Sequence, residues 1–200
     1  MQVCISSPAY LAAQPAAEGG ELASDNFNRA DASTVGSNWT DQLAAHPAGI
    51  FSNAVDVTTT GNINIEWYDA ITWPDDQYSQ ATVVAVAAHT WAVGVRIPDS
   101  PNQDTGYWGG CNNNDSGNNN RRIWKDSGGS FVNLASEAVN ITAGDVVKLQ
   151  VVGTTLKLFV NGDERLSVED STYSSGNAGF GLFTSATDVS LLDDWSGGAP

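Results

Sequence analysis

The stretch "DVVKLQVVGTTLKLFVNGDERLSV", Asp145 to Val168, decides the fold class. Val147, Leu149 and Val151 alternate with Lys148 and Gln150, and Leu156, Leu158 and Val160 alternate with Lys157 and Phe159. A period of two lines one face of an extended strand with apolar side chains, whereas an amphipathic helix needs spacings of three and four. Gly153-Thr154 and Asn161-Gly162 interrupt the alternation as two-residue turns, and Asn-Gly suits the type I′ turn whose twist matches its flanking strands. The stretch predicts three consecutive antiparallel strands, each burying one face.

The same texture extends outward from Asp25 to the end of the chain. Short apolar runs alternate with Gly, Asn, Asp, Ser and Pro, and no stretch keeps helical periodicity over a dozen residues. Further strands are predicted at "GIFSNAVDV", "NINIEWYDA", "YSQATVVAVAA", "WAVGVRI", "TGYWGG", "RRIWKD", "FVNLAS", "AGFGLFT" and "VSLLDDW". Roughly a dozen strands are too many for one open sheet and predict an all-β, two-sheet antiparallel β-sandwich. "CNNNDSGNNN", Cys111 to Asn120, reads as the tip of a long hairpin, because Asn, Asp and Gly tolerate positive φ and bond their own backbone. The first residues carry no Lys or Arg, are interrupted by Pro8, and include Glu18 and Glu21. They read as an extended N-terminal arm, residues 1–23, rather than a signal peptide. Residues 24–200 form the expected single domain.

The 200 residues hold 23 Asp and Glu against 8 Lys and Arg, a formal net charge of −15. Such a surface repels phosphate backbones, and no clustered basic face offsets it, so no nucleic-acid partner is expected. No run of eighteen apolar residues exists, so no membrane insertion is expected either. Cys4 and Cys111 are the only cysteines. They read as two unlinked thiols, with pairing as the alternative.

A resemblance rests on "SDNFNRADASTVGSNWT" (Ser24 to Thr40), "VGVRI" with "TGYWGG" and "RRIWK", the block from Gly144 to Phe183, and "LLDDWSGG" (Leu191 to Gly198). Over about residues 24 to 198 the chain resembles the concanavalin A-like lectin/glucanase superfamily. Within it, the chain is similar to laminin-G-like jelly rolls of bacterial secreted proteins and phage structural proteins. The resemblance implies a jelly roll, and jelly rolls host lectins, lyases, hydrolases and purely structural modules. It also implies a structural calcium clamped between the first and last strands, which points to Asp25 and Asp194. Capping or turn roles are the alternative for that pair, and no cofactor is otherwise required.

Among candidate chemistries, glycoside hydrolysis needs two carboxylates flanking one bond. Glu66 and Asp69 are the nearest pair, but positions i and i+3 of a strand face opposite ways. A lyase site would need His46 or His89 as base with Tyr78 or Tyr107 as acid, and nothing in the sequence brings them together. Carbohydrate binding needs aromatic faces beside planar polar groups. Trp73, Tyr107, Trp108 and Trp124 supply the aromatics, with Asn112, Asn114 and Asp115 nearby, while Trp39, Trp67, Trp91 and Trp195 are assigned to the core. Assembly contacts are expected at Cys4, Tyr10 and Leu11 of the arm and at Arg121 and Arg122.

The leading expectation is a non-enzymatic structural or surface-display protein. It would be a bacteriophage virion component that assembles as a homo-oligomer or on capsid or tail proteins, located at the virion surface. The alternative is a carbohydrate-binding, lectin-like module facing cell-surface glycans, with an extracellular location. A polysaccharide lyase or glycoside hydrolase ranks third.

Overall fold

The computed structural model describes residues 19–43, 46–86, 89–100, 104–111, 120–184 and 191–200. Fifteen strands, numbered in chain order, form two wholly antiparallel sheets among these residues. The first sheet runs β13 (Asp163–Glu169), β12 (Thr155–Val160), β11 (Val146–Val152), β6 (Gln77–Val83), β15 (Leu192–Gly198), β4 (Ala54–Val57) and β3 (Ala48–Phe51). β1 (Glu21–Asp25) lies along the C-terminal half of β15, with Asp25 opposite Trp195. The second sheet runs β10 (Phe131–Asn140), β9 (Asn120–Ser127), β8 (Thr105–Cys111), β7 (His89–Ile97), β14 (Asn177–Thr184), β5 (Ile63–Tyr68) and β2 (Trp39–Asp41).

The stretch that decided the fold class forms β11, β12 and β13, with Val147 opposite Val160 and, past a bulge between Leu158 and Phe159, Leu156 opposite Val168. Asn161 and Gly162 both take positive φ, 55° and 84°, as a type I′ turn requires. β8 and β9 pair antiparallel up to Cys111 opposite Arg121, so the asparagine-rich stretch joins two neighbouring strands. The tip itself, with Asn112, Asn114 and Asp115, lies outside the described residues. So does most of the arm, including Cys4, Tyr10 and Leu11. The boundary drawn after residue 23 falls inside β1, which begins at Glu21 and already belongs to the sandwich.

The space between the sheets holds Val147, Leu149 and Val151 of β11 and Leu156, Leu158 and Val160 of β12, all buried. Each contributes roughly 1.5–3 kcal/mol of burial. At the other end an aromatic nest joins Phe27, Trp39, Tyr68, Trp73, Phe180 and Trp195, with Trp39 and Trp195 centroids 4.6 Å apart at 67°. One hydroxyl links the sheets through the core. Ser79 Oγ of β6 donates to the Gly179 carbonyl of β14 (2.7 Å) and accepts from Trp195 Nε1 (2.9 Å).

The nest is tied to the N-terminal strand by Asp25. Its carboxylate accepts from Arg29 at 2.7 and 3.0 Å, from the Phe27 N–H at 2.9 Å and from Trp39 Nε1 at 3.0 Å. Arg29 in turn donates to the Val35 carbonyl. Burial pulls the Asp25 carboxyl up, but these donors and the Arg29 charge outweigh it and hold it below the usual value. A depressed pKa contributes stability that is present above the unfolded value and is lost as pH falls through the folded one. Asp25→Ala, which orphans the Trp39 and Phe27 donors at once, is expected to lower unfolding stability by about 2–4 kcal/mol in urea melts at pH 7.

Glu66 behaves oppositely. It points between the sheets, is 2% exposed, and has one carboxylate oxygen held by the Ala48 N–H at 2.8 Å. Burial, with a smaller push from Asp41, raises its pKa to about 8. Asp69 lies beyond the end of β5 and takes the Thr40 hydroxyl, so the two acids do not share a cleft. Because the folded pKa of Glu66 lies above the unfolded one, its contribution is complete below about pH 4.5 and is lost as pH rises toward 8. Glu66→Gln keeps the acceptor and removes the charge. Chemical melts should show it stabilising the fold by up to about 3 kcal/mol more at pH 7 than at pH 4.5.

Candidate functional site

The second sheet is apolar on both faces. Its pairing fixes which side chains share the outer face: Ile65 of β5 stands opposite Gly181 of β14, which stands opposite Ala92 of β7. One step along, Trp67, Gly179, Gly94, Trp108, Trp124 and Asn133 form a continuous row across six strands. Ile65, Trp67, Ala92, Ile97, Trp108 and Trp124 pack together as a second buried cluster, separate from the interior. Trp67, assigned to the core from sequence, is buried in this outer cluster.

Small residues carry the middle of that face. The six-membered ring of Trp108 lies over its neighbours so closely that a Cβ on Gly94 would sit 2.4 Å from Trp108 Cζ3, and one on Gly181 3.1 Å from the same atom. Strand propensity disfavours glycine at such positions, so its presence marks a close approach. The result is a floor of Ala92, Gly181 and the flat indole, with Ile63, Ile65 and Phe183 on one side and Trp124 and Phe131 on the other. The cavity holds about 220 Å³.

Two carboxylates enter this apolar setting. Asp126 follows Trp124 by two residues on β9, hence the same face, and accepts from Trp124 Nε1 at 3.1 Å. Asp104 stands just before β8, and its backbone carbonyl accepts from the Gly129 N–H at 3.2 Å. Burial, reinforced by the neighbouring Asp126 charge, raises the Asp104 pKa to about 7. Burial also raises Asp126, with the Trp124 bond opposing it. Phe131 stands opposite Asp126 on β10, is 39% exposed, and its ring centroid lies 5.7 Å from that of Trp124 at 39°. An aromatic surface beside planar acceptors can stack the C–H face of a sugar ring and take its hydroxyls.

Of the residues picked from sequence, Trp108 and Trp124 line this cavity. Tyr107, the neighbour of Trp108, points the other way. It is fully buried between the sheets, donates to Asp170 Oδ1 at 2.6 Å and accepts from the Tyr173 N–H at 3.0 Å. Burial and that bond to Asp170 push its pKa up to about 12. Adjacent strand residues face opposite sides, so Tyr107 and Trp108 cannot serve one outer site. Trp73 belongs to the interior nest, with its ring edge-on to Trp195 and its Nε1 donating to the Tyr68 carbonyl at 2.7 Å. Arg121 is engaged across the β9–β10 pair by Glu137 at 3.0 Å. Arg122 shares the outer face, opposite Gly110.

Asp25 and Asp194 do come close through the pairing of the first and last strands, and both line one shallow surface cavity. Asp25 is already held by Arg29, Phe27 and Trp39, and no group of three or more metal-ligating side chains occurs among the described residues. The two tyrosines of the lyase reading lie on different sheets. Tyr107 is interior, and the Tyr78 ring lies 5.5 Å from Lys148 Nζ on the other sheet. Asp104, Asp126 and Phe131 escaped the sequence reading. The signal for Asp126 was present, because "WKD" spaces an aromatic and an acid for one strand face.

No family model matches this chain, and no curated protein sequence matches it significantly. Solved structures do match. A protein of unknown function with a galectin-like fold from Bacillus subtilis superposes with a TM-score of 0.61 at 12% identity, covering 90% of this chain and 97% of the other. The potassium-bound carbohydrate recognition domain of Emp46p gives 0.59 at 11%, covering 87% and 95%. The carbohydrate-binding module CBM66 from Bacillus subtilis gives 0.58 at 14%, covering 82% and 92%. At these identities the likeness concerns the fold. The chain has the jelly-roll β-sandwich fold that these solved structures share.

Proposed function

We propose that the protein is a non-enzymatic, lectin-like carbohydrate-binding module that holds a glycan ring in the cavity on the outer face of the second sheet. One observation carries the reading: an aromatic trough floored by glycine and edged by two carboxylates stands where a sandwich otherwise shows water a polar surface. The cavity, about 220 Å³, is smaller than the roughly 300–1,000 Å³ of drug-sized sites, which suits one ring and its linkages. The fold shared with carbohydrate-binding domains supports the same reading by analogy.

The virion-assembly expectation ranks below it. Its arm residues Cys4, Tyr10 and Leu11 lie outside the described residues, and Arg121 already has Glu137 as a partner. Oligomer formation, a virion-surface position and an extracellular position remain separate proposals that the trough does not require.

Phe131→Ala removes an exposed ring and is expected to weaken glycan binding about 3–10-fold by the usual worth of an aromatic contact. Its melting temperature should stay near that of the parent protein. Tyr78→Ala, on the other sheet, is expected to leave glycan affinity unchanged. Glycan-array screening followed by calorimetry checks both. Binding that survives Phe131→Ala and Trp124→Ala alike refutes the site, and release of new reducing ends from the bound oligosaccharide refutes the non-enzymatic part.

A further inference from the structure

Resting on that reading, we propose that the sugar ring held in the cavity carries a protonated amine. The ligand class is then the glucosamine-type residues of a de-N-acetylated polysaccharide, rather than neutral, N-acetylated or uronic-acid sugars. Among the described residues, the charged groups that line the cavity are Asp104 and Asp126, with no Lys, Arg or His. No hydrogen bond or ion pair among the described residues reaches the Asp104 carboxylate, and Asp126 has only the Trp124 N–H. Cations elsewhere on the neighbouring strands are committed. Lys125 points to the opposite face of β9, where it meets Asp170 and Thr172 at 2.6 Å each, and Arg121 meets Glu137. Arg122 lies on the same face but two rungs away, opposite Gly110, and does not line the cavity. Glu66, the acid of β5, and Glu137, that of β10, do not line it either.

When both are ionised, these neighbouring carboxylates with no internal counter-ion repel each other, and at any pH a uronate would add a further charge of the same sign beside them. A hydroxyl or acetamide would leave them uncompensated. An ammonium answers both acids, and the aromatic rings of Trp124 and Phe131 line the same cavity. The Trp108 indole N–H is buried behind this lining without a partner among the described residues. The raised Asp104 pKa agrees with this arrangement. At pH 6 the group is mostly protonated, so an arriving cation should displace a proton.

The test is calorimetric titration of the full chain at pH 6 with a β-linked glucosamine tetramer, its fully N-acetylated counterpart, an oligogalacturonate and tetralysine. The expected result is at least ten-fold tighter binding of the glucosamine tetramer than of the N-acetylated one, and no binding of the oligogalacturonate. Repeating the titration in two buffers of different ionisation enthalpy should reveal net proton release that Asp104→Asn abolishes. Asp104→Asn and Asp126→Asn should each erase most of the preference for the amine. Both should melt no lower than the parent, because each removes repulsion. Equal binding of the two tetramers overturns the ammonium inference and leaves the glycan reading standing. An amine preference that both variants retain, or tetralysine binding as tight as the glucosamine tetramer, also overturns it by assigning the effect to the general negative charge. Failure of every saccharide on the array overturns the glycan reading itself.

Discussion

The indole of Trp108 lies flat on its sheet only because Gly94 and Gly181 have no side chains, and most of the candidate site follows from that contact. A methyl group at Gly94 would meet the ring at 2.4 Å and tip it out of the sheet surface. With the ring down, Ala92 and Gly181 stay open as a floor, and Trp124 packs beside Trp108 as its cross-strand partner. Glycine inside a strand weakens it by roughly 0.5–1 kcal/mol relative to alanine, so this face gives up strand stability to accept a ring. The second sheet consequently has two apolar faces with different work. The inner one closes the sandwich against β11 and β12, and the outer one forms a shallow trough.

That division also accounts for the half-buried polar network behind the site. Asp170 accepts from Lys125, Tyr107 and the Thr172 N–H, Lys125 also donates to the Thr172 hydroxyl, and Tyr173 donates its hydroxyl to the Asp126 carbonyl at 2.5 Å. Burial works against the Asp170 charge, but these donors outweigh it and hold its pKa far below the usual carboxylate range. The network grips β8 and β9 from the inner side, directly behind Trp108, Trp124 and Asp126. A binding surface needs its contacting side chains held by a rigid second layer, and here the strands' own reverse faces provide it.

How far the sequence could be read depends on the kind of signal each part left. β11, β12 and β13 were legible because one face meets the core and the other meets water, which writes a clean period of two with Asn-Gly and Gly-Thr at the turns. β8 and β14 are apolar or glycine-rich throughout, so their sequences mark a strand without saying which side matters. The same ambiguity put Tyr107 into the expected site, although the pleat turns it toward the space between the sheets. Asp104 was invisible for a different reason. It precedes its strand in a loop, and only the fold brings it beside Asp126 and Phe131.

Electrostatics gives the trough its remaining character. A chain with a net charge of −15 has many acids, and most of them sit in water or with a donor, as Asp25, Asp145 and Asp170 do. Those three are held below their usual pKa, which makes their charge a stabilising part of the fold. Asp104 and Asp126 are shifted upward instead, so their charged forms cost stability, which only the Trp124 N–H at Asp126 partly offsets. Groups kept in a concave apolar site at the expense of stability are where binding is expected, since a ligand that satisfies them recovers the difference as affinity. The carboxylates at this cavity are therefore better explained by what enters it than by what holds the sandwich together.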